Sequence, residues 1–429
     1  MQIVICVDGT EVKNVVGLKR SIGMFGAVAY GVGTIIGAGV YALIGPGAGN
    51  AGNAVWLAFV LAALVASFTG LCYAKLSSIF PVSGAEYVYI GEASKSKFLA
   101  FLVGWLVILS GIFSASAVAL GFGGYLYLYT GLPRELLAIA LIVILSIVNF
   151  MGIRESVATN VALTIIELVG IAIMILLGAS FLGQVDYFES PTGLEGIVAA
   201  VGVIFFAFVG FEGLVKIGEE TKDPTRTIPR ALLISLAIST ILYVLVALSV
   251  VSIMPYTEFA TSSAPLATVA EEAAGPEIGY AMSLIAIIST ANTVLIVLMA
   301  TSRIAYGMSR RSALPSFLSR VHPQRGTPHL AVIFSMVAAS VFCFMGDITF
   351  TANMANYTIF IVFLAVDAAL LIFWRKKVIK GSAIAVVAAL GVLSSLVMLT
   401  QFDFMVSLLS LILIASGAFI YKFIAPRLW

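Results

Sequence analysis

Residues 31–41, which read GVGTIIGAGVY, decide the fold of this chain. They lie within a run, residues 22–44, that is apolar enough to cross a lipid bilayer, yet four of the eleven residues are glycine. Glycine costs about 1 kcal/mol relative to alanine inside a helix, and backbone groups released from a helix in lipid need other partners. Such an interruption is tolerated where it is buried in protein or lines a cavity. The sequence therefore predicts that the interruption forms a binding site.

The composition is that of a polytopic membrane protein. Of the 429 residues, 61% are hydrophobic and 10% are charged, and the mean hydropathy is +1.12, whereas soluble domains carry about 25% charged residues. The three cysteines are odd in number and lack the spacing of a metal site. Two histidines are too few for a His-rich metal site. We therefore expect no cofactor, no metal and no nucleic acid partner, and the lipid bilayer as the surroundings.

Apolar runs long enough to cross a bilayer, which takes about 20 residues of helix, occur twelve times. They lie at residues 22–47, 52–78, 98–128, 135–152, 157–183, 195–215, 231–254, 278–308, 329–346, 355–374, 382–401 and 405–424. If the N-terminus is cytoplasmic, all of the 23 Lys and Arg residues except Arg134 fall on the cytoplasmic side, as the positive-inside rule requires. The pattern predicts a multi-pass protein of the plasma membrane with both termini in the cytoplasm.

The sixth run contains a second interruption, at residues 205–213 (FFAFVGFEG). Runs one and six each begin a group of five, so the two interruptions occupy corresponding positions in two halves of the chain. Paired interruptions of this kind are the best indication in a sequence of an inverted-repeat transporter and of its binding site. The alternative is that the glycines only allow neighbouring helices to pack closely.

Seven motifs along the chain carry a family resemblance. They are residues 33–41 (GTIIGAGVY), 73–76 (YAKL), 80–89 (FPVSGAEYVY), 206–212 (FAFVGFE), 218–224 (GEETKDP), 228–230 (IPR) and the segment from residues 302–303 to residues 314–315. Together they resemble the motifs of the amino acid–polyamine–organocation (APC) superfamily of transporters. The resemblance is strongest to the cationic amino acid transporter branch and its prokaryotic homologues.

The resemblance implies an all-α integral membrane protein with the LeuT-type fold, in which five helices are repeated in inverted orientation and helices 1 and 6 are broken. The expected divisions are a cytoplasmic segment at residues 1–21, a first repeat at 22–183 and a second at 195–374. Two further helices at 382–424 and a cytoplasmic C-terminus at 425–429 complete the chain.

The resemblance also implies where an amino acid would bind. The backbone amides of Ala38 and Gly39 are expected to receive its carboxylate, since the first amides of a helix attract anions. The carbonyls released at Ile35, Phe206 and Val209 are expected to receive its ammonium group.

Three further residues complete the predicted substrate site: Gly37, Ala207 and Gly210. Glycine at positions 37 and 39 is expected to let the ligand approach the backbone, since a Cβ would keep it away. Phe206 matches the family's aromatic gate over the substrate.

Carboxylates within the apolar runs are candidates for ion coupling, because burying a charge in a membrane is costly. Glu212 follows the second interruption. Glu167 stands where many proton-coupled relatives carry a lysine, so coupling of the lysine type does not transfer to this chain. Glu167 is a proton carrier or a cation ligand in one interpretation, together with Ser289 and Thr290. In the other it is a structural residue that hydrogen-bonds to Ser289, Thr290, Asn292 and Thr293.

The prediction is a secondary active amino acid transporter that works by alternating access, as a proton-coupled symporter or an exchanger. Alternatives are an amino acid/polyamine antiporter, a carrier selective for cationic amino acids, and a nutrient receptor that binds without transport. Neutral or varied amino acids are the favoured substrates. An enzyme is not expected, since the apolar runs contain no GxSxG motif and no histidine beyond His329 at the start of one run, and the chain has no P-loop for ATP. The sequence leaves the oligomeric state open.

Overall fold

The computed structural model of the protein describes residues 22–80, 85–151, 156–218, 221–310, 313–344 and 348–423. The helices are α1 (Met24–Ile35), α2 (Ala38–Ala51), α3 (Val55–Ile79), α4 (Ala85–Ser94), α5 (Lys97–Thr130), α6 (Arg134–Met151), α7 (Ser156–Gly178), α8 (Leu194–Ile204), α9 (Gly213–Lys216), α10 (Pro224–Ile253), α11 (Tyr256–Phe259), α12 (Pro265–Ala274), α13 (Pro276–Arg310), α14 (His329–Cys343), α15 (Ile348–Arg375), α16 (Ser382–Leu399) and α17 (Phe404–Phe423). Within these ranges one isolated β-bridge joins Ile22 to Thr221.

Ten helical segments of the described chain are long and apolar enough to cross a membrane, judged by length and composition. They are Ala38–Ile79, Lys97–Thr130, Arg134–Met151, Leu163–Phe181, Leu194–Val215, Pro224–Ile253, Pro276–Arg310, Ile348–Arg375, Ser382–Leu399 and Phe404–Phe423. The predicted class, an all-α integral membrane protein, is confirmed.

The number of spanning segments differs from the twelve predicted by hydropathy. The first predicted run is divided between α1 and α2, and the apolar stretch Ala38–Ile79 joins α2 to α3. Met24–Ile35 and His329–Cys343 are apolar but shorter than the other segments. Hydropathy is averaged over many residues, so the average does not show where one helix ends and the next begins. The first run therefore appears as one spanning segment in the sequence and as two helices in the structure. The predicted ends of the chain, 1–21 and 425–429, lie outside the described residues, and the inverted repeat stays a prediction.

Helix α5 is the central packing element of the fold, in contact with α13, α15 and α6. Small residues let its neighbours approach closely, as is usual between membrane helices. A Cβ at Gly104 would lie 2.7 Å from the sulfur of Met308, and one at Gly111 would touch the Thr301 hydroxyl. On the opposite side, α10 packs on α1 and α3. The two interrupted segments therefore lie between α10 on one side and α5 and α13 on the other.

Candidate functional site

The first interruption separates α1 from α2. Helix α1 ends at Ile35 and α2 begins at Ala38, so that Ile36 and Gly37 lie between them with extended backbones. The Gly37 φ of −154° is open to any residue, so its backbone does not require glycine. Its surroundings do, since a Cβ at Gly37 would lie 2.8 Å from the Thr293 hydroxyl. The first interruption thus fits closely against α13.

The second interruption has a different geometry. Helix α8 ends at Ile204, and the chain tightens into a 3₁₀ turn over Phe205–Phe208 before α9 begins at Gly213. Gly210 has a φ of +125°, which strongly favours glycine. Its amide donates a hydrogen bond of 2.9 Å to the Glu212 carboxylate. This interruption is therefore stabilised by a side chain from its own segment.

The two interruptions are in direct contact. A Cβ at Gly39 would lie 2.6 Å from the Ala207 Cα, and a Cβ at Gly210 would touch the Thr34 carbonyl. The packing of one segment on the other thus requires glycine at position 39. This is a second reason for glycine there, besides the ligand access expected from the sequence. Substituting Gly39 would disturb the packing whether or not a ligand binds there.

The hydroxyl of Tyr243 in α10 connects the same two segments. It lies 2.7 Å from the Ile35 carbonyl and 3.0 Å from the Ala207 carbonyl, so its proton is shared between them. Tyr243 is completely buried. It stands in an apolar run without a motif, and no signal in the sequence indicated it. Sequence reasoning therefore missed the residue that joins the two interruptions.

A cavity of about 180 Å³, which we call the central cavity, lies against both interruptions. Its lining includes every predicted substrate residue, namely Ile35, Gly37, Ala38, Gly39, Phe206, Ala207, Val209 and Gly210, and also Glu212. Glu212 is the charged residue of the described lining. The opposite wall comes from α5, α13 and α15, and the cavity extends to Tyr30 and Ile304, toward the face at which α1 begins and α13 ends. The structure thus brings the predicted substrate residues together, while ligand binding by them stays a prediction.

Some of the predicted ligand groups already have protein partners. The Ala38 amide donates to the Thr293 hydroxyl at 3.2 Å, and the Phe206 carbonyl accepts the Val209 amide at 3.2 Å. The Ile35 carbonyl accepts from Tyr243. A carbonyl oxygen has a second lone pair, so an ammonium group can still bind to it. A carboxylate at Ala38, in contrast, would share or replace the bond to Thr293.

Of the coupling candidates, Glu212 lines the central cavity, whereas Glu167, Ser289 and Thr290 are not part of its lining. Glu167 in α7 is buried, and its carboxylate accepts a hydrogen bond of 3.3 Å from the Asn292 amide in α13. The Ser289 hydroxyl also lies within hydrogen-bonding reach of this carboxylate, at a poorer geometry than the Asn292 amide. The Glu167 carbonyl accepts a 2.7 Å bond from the Tyr41 hydroxyl of α2. Glu167 thus connects three helices, α2, α7 and α13.

Thr290 and Thr293 do not make the contacts with Glu167 that the structural interpretation predicts. The Thr290 hydroxyl donates to carbonyls of its own helix, at 2.7 Å from Ala286 and 3.0 Å from Ile287. The Thr293 hydroxyl faces the first interruption, where it accepts from Ala38. Of the four proposed partners, Asn292 hydrogen-bonds to the carboxylate and Ser289 lies beside it.

A further buried carboxylate, Asp367 in α15, lies away from the central cavity. It accepts a 2.9 Å hydrogen bond from the Thr69 hydroxyl of α3. A Cβ at Gly391 in α16 would touch the carboxylate. Asp367 therefore belongs to the packing of α3, α15 and α16, and it serves below as a control for Glu167.

Comparisons with known proteins show the family to which the chain belongs. A family model described as "Amino acid permease" matches residues 22–424. The chain is 28% identical to the branched-chain amino acid permease BcaP of Bacillus subtilis (strain 168), over 94% of this chain and 92% of that protein. It is 31% identical to the vacuolar cationic amino acid transporter 4 of Arabidopsis thaliana, over 83% of this chain and 63% of that protein. It is also 28% identical to the methylthioribose transporter of Bacillus subtilis (strain 168), over 80% of each chain. The chain belongs to the amino acid permease family, within the APC superfamily, and is an amino acid transporter.

Proposed function

We propose that this member of the amino acid permease family is a secondary active transporter that binds an α-amino acid in the central cavity and moves it by alternating access. The observation that carries the proposal is that one cavity is lined by both helix interruptions. Backbone groups released from helices in a membrane require polar partners, and an α-amino acid supplies a carboxylate and an ammonium group in one molecule. The LeuT-type inverted repeat is part of the same proposal.

Recognition of the substrate uses the backbone on both sides of the cavity. The carboxylate binds at the start of α2, where Ala38 and Gly39 begin a helix and the helix dipole favours an anion. The ammonium group binds near the carbonyls of Ile35 and Val209, which line the cavity. Phe206, which is almost fully buried beside them, closes over the substrate as a gate.

The substrate class that fits the cavity is neutral and aliphatic. The wall opposite the interruptions is mainly aliphatic, with Val107, Val118, Ile296, Val297 and Ile359 beside the small polar residues Ser110, Ser114 and Thr301. Glu212, the charged residue of the described lining, already accepts the Gly210 amide. The printed names of relatives include a branched-chain amino acid permease and cationic amino acid transporters, and the apolar wall favours the first of these chemistries.

Proton coupling through Glu167 is the proposed energy source. The residue is buried and hydrogen-bonds to α13 through its side chain and to α2 through its carbonyl. Gain or loss of a proton there changes the contact with Asn292, next to the Thr293 hydroxyl that binds the Ala38 amide. The Glu167→Gln variant should transport without a dependence on pH, while Asp367→Asn, the buried control outside the cavity, should keep it. Equal pH dependence in both variants and the wild type would contradict coupling through Glu167.

The test of the function is uptake by the purified protein in liposomes. Each of the twenty amino acids competes for uptake of a radiolabelled one, with imposed pH or sodium gradients. We expect neutral aliphatic amino acids to compete best and their methyl esters, which lack the carboxylate, to fail. Competition by lysine, arginine or a polyamine alone would favour the cationic or polyamine alternative. Saturable binding without accumulation or exchange would favour the receptor.

The proposed location is the plasma membrane, with both ends of the chain in the cytoplasm. The distribution of Lys and Arg supports this orientation, since Arg134 is the exception on the outer side. In this orientation the central cavity of the structure extends toward the cytoplasm. Labelling of single cysteines introduced near each end, with a reagent that cannot cross the membrane, tests the orientation.

A further inference from the structure

A second cavity, of about 210 Å³, lies beyond the central cavity along the same helices. Its walls come from α2, the segment 120–124 of α5, the start of α6, the segment 260–263 and the start of α15. None of the residues predicted from the sequence to bind substrate lines it. The second cavity shares no lining residue with the central cavity. The proposed transport mechanism does not use it.

The two cavities follow one another along α2 and α5. Ala38 lines the central cavity and Ala42, four residues or about 6 Å further along the helix, lines the second. On α5 the order is Val118 and then Gly121. A Cβ at Gly121 would lie 3.1 Å from the Ala42 Cβ, so α2 and α5 are in close contact between the cavities. The second cavity therefore lies on the far side of this contact, which is the outer side in the proposed orientation.

Two of the described residues that line the second cavity are charged, Arg134 and Glu135. The Arg134 Nε lies 3.9 Å from the Glu135 Oε1, and the two side chains are 50% and 39% exposed. A half-exposed pair at this distance contributes little to stability, so both groups can bind a ligand instead. Arg134 is also the basic residue that departs from the positive-inside pattern of the sequence.

The backbone around this pair is fixed against α5. A Cβ at Gly123 would touch the Arg134 carbonyl, and one at Gly124 would lie 2.6 Å from the Ser263 carbonyl. The backbones of Arg134 and Ser263 therefore pack directly on glycines of α5, so the charged pair is held against a long helix in the wall of the cavity. A site on a rigid element holds its groups at a constant spacing.

We propose that the second cavity is an outer binding site for zwitterionic α-amino acids, with Arg134 binding the carboxylate and Glu135 binding the ammonium group. The inference rests on the proposed transport function. A zwitterion carries both charges on one carbon and so matches two opposite charges on neighbouring residues, whereas a molecule with one charge would leave the other residue unmatched. The site would concentrate amino acids on the outer side, ahead of the contact between α2 and α5.

The test compares transport from the two sides of the membrane. Right-side-out and inside-out vesicles from cells expressing the full chain take up radiolabelled L-valine, with Arg134→Gln and Glu135→Gln as the variants. The control is Arg226→Gln, because Arg226 forms a surface pair with Asp223 at the same Nε–carboxylate distance of 3.9 Å but lies far from the second cavity in sequence, at the start of α10. Isobutylamine and isovalerate, which each carry one of the two charges, serve as competitors.

Both cavity variants should raise the KM for uptake from the outer side about two- to fivefold, as expected for one half-exposed charge, and leave the KM from the inner side unchanged. Arg226→Gln should alter neither. The normal inner-side KM shows that the variants are folded.

An unchanged outer KM, or an equal rise on both sides, would overturn the outer site and leave the transport function standing. Stronger competition by isobutylamine or isovalerate than by unlabelled L-valine from the outer side would also overturn it. A wild-type protein that transports none of the twenty amino acids would overturn the proposed function and this site together.

Discussion

The two helix interruptions look alike in sequence, yet the structure stabilises them in different ways. At the first, the released groups bind to distant helices: the Ala38 amide to Thr293, 255 residues away, and the Ile35 carbonyl to Tyr243, 208 residues away. At the second, the Gly210 amide binds Glu212, two residues along its own chain, although the Ala207 carbonyl also shares the Tyr243 hydroxyl. The first interruption therefore depends on how α10 and α13 pack, while the second is stabilised in part by its own segment. A movement of α10 and α13 during alternating access would therefore change the hydrogen bonds of the first interruption more than those of the second.

The strongest test of this difference is the Gly210→Ala variant. Alanine would be strained at a φ of +125° and its Cβ would touch the Thr34 carbonyl. We expect a loss of about 3 kcal/mol of stability, from backbone strain together with overpacking, measured as a lower Tm in detergent and loss of uptake. Gly213→Ala is the control, because its Cβ would lie 3.9 Å from the Thr34 side chain. A Tm for Gly210→Ala equal to that of the control would show that the local backbone does not determine the second interruption.

A smaller effect is expected from Tyr243→Phe, which removes the hydroxyl shared by the two interruptions. Two buried carbonyls then lose a donor, at a cost of about 2 kcal/mol, seen as a lower Tm and slower uptake. The matched control is Tyr125→Phe, since the Tyr125 hydroxyl donates to the Tyr41 carbonyl in the first segment alone. Uptake should fall further in Tyr243→Phe than in Tyr125→Phe. If the two variants transport equally well, the link between the interruptions has no role in transport.

The smallest effect is expected from Glu212→Gln. The side-chain oxygen of glutamine can still accept a hydrogen bond from the Gly210 amide. Only the negative charge of the acceptor is lost, which lowers the stability by about 1 kcal/mol. Glu212→Ala, which removes the acceptor, should lower the Tm further. A lower Tm for Glu212→Ala than for Glu212→Gln would support a role of Glu212 as the hydrogen-bond acceptor of the Gly210 amide. The reverse order, or a large loss in Glu212→Gln alone, would indicate that the charge of Glu212 serves the substrate or the proton instead.

Much of the candidate site could be predicted from the sequence because its signals are local. Glycines at 37 and 39 weaken the first helix, and the glycine at 210 weakens the sixth, whatever surrounds them. The apolar residues on either side of these glycines indicate that both interruptions lie within the membrane. The structure gathers those residues around one cavity. Tyr243 was not predictable, because one tyrosine in an apolar helix has no pattern that shows what its hydroxyl will meet.

The sequence alone determined the all-α membrane class, the two interruptions and the family, because hydropathy, glycine content and motifs are properties of short segments. Tertiary structure decided which groups the interrupted backbone binds. Thr293 was expected beside Glu167 and instead accepts a hydrogen bond from the Ala38 amide, and Gly39 packs against the Ala207 backbone as well as lining the central cavity. The reason is physical: a released amide or carbonyl takes whichever partner the packing of distant helices brings within 3 Å or so. In residues 31–41, the glycines determine where the helix is interrupted. The fold determines which side chains, Thr293 and Tyr243, hydrogen-bond to the interrupted backbone.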